Sequence, residues 1–107
     1  MEVDPDAVVS AALSCPEVAG MSGGLVGEAA TYLPGRQVTG VRLTEDEVEI
    51  HIVARWGPTL PEVAAAVRRA VAPVTGSLAT SVHVEDIDVP GELAAPIEEG
   101  AGGGAGP

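Results

Sequence analysis

The sequence predicts a small two-layer α+β domain: a mixed sheet of about three strands, made of a hairpin plus a strand that follows a crossover helix, packed against two helices. Three observations predict it. Residues 38–43 and 48–56 alternate with period two around a polar TEDE turn, residues 60–74 repeat apolar side chains at helical spacing, and a second alternating run, SVHVEDIDV, follows that helix. The 107 residues suffice for one domain, placed at 1–90, with a flexible Gly/Ala/Pro-rich tail over 91–107.

Asp4-Pro5-Asp6 opens the first helix: Asp4 caps free N–H groups, Pro5 suits the first helical position and Asp6 faces the positive end of the dipole. Val8, Val9, Ala12 and Leu13 form its apolar stripe, and it ends near Cys15-Pro16. Residues 18–37 are rich in Gly, close on a Pro-Gly turn, and read as a loop with room for one short strand. In the hairpin, Thr39, Val41 and Leu43 point one way. Across the turn, Val48, Ile50, Ile52, Ala54 and Trp56 share the buried face, while Glu47, Glu49, His51 and Arg55 share a wet face on which Val53 is the apolar exception.

Gly57-Pro58 makes the next turn, and Thr59-Leu60-Pro61-Glu62 has the form of a capping box. Leu60, Val63, Val67, Val71 and Val74 then line one face of a helix that covers the sheet and stops at Gly76. In the last strand Val82 and Val84 share one parity but Ile87 and Val89 the other, which a bulge near Glu85-Asp86 reconciles. The strand-helix-strand step makes the last strand parallel to its predecessor.

Composition narrows the function. Sixteen acidic residues against five basic ones, all Arg, give a net charge of −11. That balance argues against nucleic acid as a partner and against adsorption to an anionic membrane, since both need a basic face. The acidic start MEVDPD is unlike a secretory leader, and no apolar run approaches the ~18 residues that span a bilayer. A single Cys15 agrees with a reducing compartment, so the expected location is cytoplasmic. The absence of Lys, Phe and Asn beside abundant Ala, Gly, Val and Pro reads as GC-rich bacterial coding.

The sequence identifies no catalytic residue and no cofactor motif. GMSGGLVG has neither the Lys-Ser/Thr pair of a P-loop nor the spacing of a dinucleotide fingerprint, so it reads as a structural loop. Cys15 has no local base and reads as a small buried residue. His51 and His83 each lie on the polar parity of their strands beside Glu49 and Glu85, and on neighbouring strands the four would form a metal-binding or pH-responsive face. The competing reading is a solvated face with two ordinary histidines. Val53, and Arg68-Arg69 on the helix, are candidate interaction residues, the arginines being equally consistent with an ordinary exposed helix face.

PEVAGMSGG, VTGVRLTEDEVEIHIVARWGPTLPEVAAAVRRAV and TGSLATSVHVEDIDV together resemble the alkaline shock protein family, the envelope stress response family of Gram-positive bacteria, over about residues 4–90. The resemblance rests on apolar positions and turns: the V-A-G-M-S-G loop, the strand ending in Trp56-Gly57 before a capped helix, and the closing V-H-V-E-D-I-D-V strand. It implies a non-enzymatic scaffold linked to cell-envelope stress, with a small membrane protein as the expected partner, since some members of the family are held at the membrane by one. The small core of Val, Ala, Ile and Leu adds the expectation of a homo-oligomer, and the lack of a long apolar run that of no direct membrane insertion. The chain departs from the family in lacking Lys and in its Gly-rich tail.

Overall fold

The computed structural model describes residues 3–23 and 29–91. The expected tail from residue 92 onward, and residues 24–28 of the Gly-rich loop, lie outside the described residues. The elements run α1 (Pro5–Leu13), β1 (Val18–Met21), β2 (Ala30–Leu33), β3 (Arg36–Thr39), β4 (Val41–Leu43), β5 (Glu47–Arg55), α2 (Leu60–Thr75) and β6 (Ala79–Asp88). The α+β class with one sheet against two helices is as expected, but the main sheet has four strands and a separate two-stranded sheet stands beside it.

β5 is the spine of the main sheet. β6 runs parallel to it along its whole length, from Glu47↔Ala79 to Arg55↔Asp88. On its other edge β4 and β1 lie end to end, both antiparallel, β4 against Val48–Ile50 and β1 against residues 52–54. His51 marks the handover, its N–H donating to Gly40 O at 2.8 Å and its carbonyl accepting from Ser22 N at 2.9 Å. The ladder to β6 skips one residue, Ile52↔Val84 being followed by Val53↔Asp86, so Glu85 is the bulged residue and Ile87 returns to the parity of Ala54.

Period two in β5 works as expected over Val48, Ile50, Ile52 and Ala54, which are buried against Val8 and Ala12 of α1 and Val63, Val67 and Val71 of α2. Each Val or Ile taken fully out of water contributes roughly 1.5–3 kcal/mol, and these branched side chains carry a core with no Phe. Both caps form: Asp4 accepts from Asp6 N, and the Thr59–Glu62 capping box is complete. Gly76, at φ 61°, ends α2.

Four expectations need correction. Residues 18–37 are not mainly loop: β1 extends the main sheet, and β2 pairs with β3 through a turn at Pro34-Gly35, with Gly35 at φ 78°. Residues 38–43 are not one strand, because Gly40 turns at φ 93° and passes the chain from the small hairpin into the main sheet. Parity flips there: Val38 and Val41 are buried and Thr39 is exposed. Trp56 is 54% exposed, since β5 ends at Arg55 and Gly57 swings the chain away at φ 126°. Leu13 and Leu60, at the end of α1 and the start of α2, are both 48% exposed.

Candidate functional site

On the sheet face turned away from the helices, the parallel register sets His51 beside His83. Their rings stack with centroids 4.4 Å apart and planes within 6°. His51 Nδ1 lies 2.7 Å from Glu85 Oε2, and its Nε2 lies 3.4 Å from Glu49 Oε1. The four residues singled out from the sequence therefore converge. The expectation that this face is wet fails at its centre, because His51 is only 6% exposed. It sits where β4 gives way to β1, with the His83 ring stacked on it and Glu85 and Glu49 at its two ring nitrogens.

Two flanking groups escaped the sequence reading. Arg42 Nη1 reaches Glu49 Oε2 at 3.4 Å, and Ser81 Oγ lies 3.2 Å from His83 Nε2. Arg42 is the register partner of Glu49, and Ser81 precedes His83 by one strand period, so pairing register is the signal that finds them. The result is a polar chain across three strands. Glu49, His51 and His83 each offer a ligand atom, all within 4.8 Å of one another.

The other candidates do not join it. Val53 is on the same sheet face but half-buried between Gly20 and Asp86 in register. Arg68 and Arg69 are exposed on α2, across the core from Val53, and Arg69 lies with Glu17 and Glu62 around one shallow cleft. Cys15 is buried, its Sγ 3.6 Å from Ala66 O; burial first, then the Glu17 carboxylate, pushes its pKa up, against a smaller pull from Arg69. A raised pKa keeps the thiol protonated and unreactive.

The second feature is apolar. The strand-helix junction after β5 is a capped turn, as expected, with Thr59 N donating to Glu62 Oε1 at 2.7 Å. It also borders a cleft of about 330 Å³ lined by Trp56, Pro58, Leu60 and Ile87. That cleft opens beside the outer edge of β6, which no strand covers among the described residues. No described helix is long and apolar enough to cross a membrane.

Fold and site together define a small α+β domain with an imidazole–carboxylate cluster on one sheet face and a ten-residue edge strand that no described strand covers. No protein-family model, curated protein or solved structure matches the chain.

Proposed function

We propose that this chain is a non-enzymatic scaffold of the cell-envelope stress response, as its resemblance to the alkaline shock protein family implies, working in the cytoplasm by self-association and by docking on a small membrane protein. The observation that carries the reading is the outer edge of β6. Ten residues of strand offer backbone N–H and C=O groups to a neighbour, and exposed Trp56, Leu60 and Ile87 cluster at its end.

The favoured occupant is a second copy of the chain, paired antiparallel about a two-fold axis. Glu85, Asp86 and Asp88 crowd the C-terminal half of β6, whereas residues 79–84 carry no carboxylate. Antiparallel pairing sets each acidic half against the other copy's uncharged half, and parallel pairing would set carboxylate against carboxylate. A net charge of −11 still opposes approach, so association should strengthen as salt screens it.

Sedimentation velocity over a concentration series at low and high salt tests this. The expected result is a monomer–dimer equilibrium that salt favours and that Ile87→Lys, on the partly exposed edge, shifts to monomer. A chain that stays monomeric at every concentration and salt removes the self-association. Crosslinking in cells, followed by detergent extraction and identification of co-purifying proteins, tests the membrane partner, and recovery of no membrane protein removes it.

A further inference from the structure

Both ring nitrogens of His51 face carboxylates: Glu85 at Nδ1 and Glu49 at Nε2. Its side chain is only 7% exposed, so water does little to separate them. A neutral imidazole has one N–H and one lone pair. The short contact takes the proton, with Nδ1–H donating to Glu85 at 2.7 Å, which leaves the Nε2 lone pair facing the anionic Glu49 Oε1 at 3.4 Å. Two acceptors at that range in a site shielded from water repel each other unless a positive centre lies between them.

We infer that the cluster binds a divalent ion of the zinc class, with Glu49 Oε1, His51 Nε2 and one ring nitrogen of His83 as its ligands. Metal–ligand bonds of about 2.0–2.1 Å in a tetrahedral site separate neighbouring ligand atoms by about 3.3 Å. The Glu49–His51 separation is already 3.4 Å, and no ligand atom of the three is more than 4.8 Å from another. Parallel rings hold their lone pairs in parallel planes, so His83 must turn out of the stack to share the ion. It is exposed and has room to do so.

The surroundings fit a first-row transition ion. Imidazole with carboxylate suits zinc or nickel, whereas magnesium and calcium take oxygen donors throughout. Glu85 on Nδ1 is the partner that fixes the tautomer and orientation of a metal-bound histidine. Arg42 occupies the other oxygen of Glu49, leaving Oε1 for the ion. Both histidines stand on paired strands in fixed register, so their backbones are held in place without the metal.

The test uses the full chain, stripped of metal with a chelator and titrated calorimetrically with zinc chloride at neutral pH in a non-coordinating buffer, with magnesium in parallel. The expected result is one zinc per chain, no comparable magnesium heat, and about tenfold or greater weakening in His83→Ala, Glu49→Gln and the positioning variant Glu85→Gln. His83 and Glu85 are exposed, so those variants keep the fold, which circular dichroism checks. Zinc should also shift the imidazole NMR signals of His51 and His83. Absence of zinc heat in the wild-type chain overturns the inference. Unchanged affinity in His83→Ala also overturns it, by placing the ion elsewhere.

Discussion

His51 and His83 lie ring on ring across the β5–β6 ladder, centroids 4.4 Å apart, one buried and the other exposed. Because the strands are parallel and in register at this pair, their backbones are held side by side while the exposed His83 ring stays free to turn. Their substitutions should therefore differ in cost. His51→Ala opens a cavity and strips Glu49 and Glu85 of a shared partner, and should destabilise by about 2–3 kcal/mol. His83→Ala should cost less than about 1 kcal/mol. Urea titrations compare them, and equal midpoints would contradict the burial difference.

Gly40 joins the two sheets. A Cβ there would lie 2.8 Å from Met21 Cβ and 3.2 Å from His51 O, on a backbone at φ 93°. Gly40→Ala should cost about 3 kcal/mol, combining left-handed strain with overpacking. Gly35, at φ 78°, has nothing within 4 Å of the added carbon. Gly35→Ala should thus cost only about 1 kcal/mol, and chemical denaturation separates the two.

The α2 cap predicts a pH dependence. The Thr59 backbone amide first, and the Thr59 hydroxyl contact second, hold the Glu62 carboxyl below the ordinary glutamate range. A carboxylate depressed on folding adds stability that is present above its unfolded value and lost as pH falls through the folded one. Wild type should therefore lose stability relative to Glu62→Gln on acidification through that window. Thr59→Ala should cost about 1 kcal/mol at neutral pH, and thermal melts across pH measure both effects.

Cys15 should be silent in the folded chain. Burial and Glu17 raise its pKa, so little thiolate forms, and the thiol is shielded from reagents. A disulfide reagent should label it at the rate of global unfolding, accelerating with urea. Rapid labelling without denaturant would show that α1 opens locally.

Val53→Asp is a flawed probe of the sheet face. Asp86 is its register partner, so a new carboxylate would sit directly opposite an existing one and weaken the β5–β6 pairing itself. Val53→Ser removes the apolar contact without that repulsion. If Val53 contributes to assembly, Val53→Ser should weaken dimerisation in sedimentation while leaving the melt nearly unchanged, and an unshifted dimer would exclude it.

Much of the fold was legible because it is written in local periods. The alternation of Val48, Ile50, Ile52 and Ala54, the Thr59–Glu62 box and the parity change at Glu85 each specify their element within a few residues, and each forms. Gly40 was not legible as a break, because Val38–Leu43 contains alternating residues on either parity and only the backbone turn selects between them. β1 was hidden in a Gly-rich run, since a short edge segment is made a strand by the β5 groups it pairs with.

The sequence by itself determined the α+β class, the helix caps, the inward face of β5, the bulge, and the acidic surface that argues against a nucleic-acid partner, since each depends on residues near one another in the chain or on composition alone. Only the tertiary structure decided that His51 is buried, that Glu85 takes its Nδ1 while Glu49 faces its Nε2, that Arg42 and Ser81 flank the cluster, and that Trp56 lies outside the core. Those facts depend on strand register and on where β4 yields to β1 along β5. Parity assigns a residue to a face, but whether that face meets water is set by which segments of distant sequence come to rest on it.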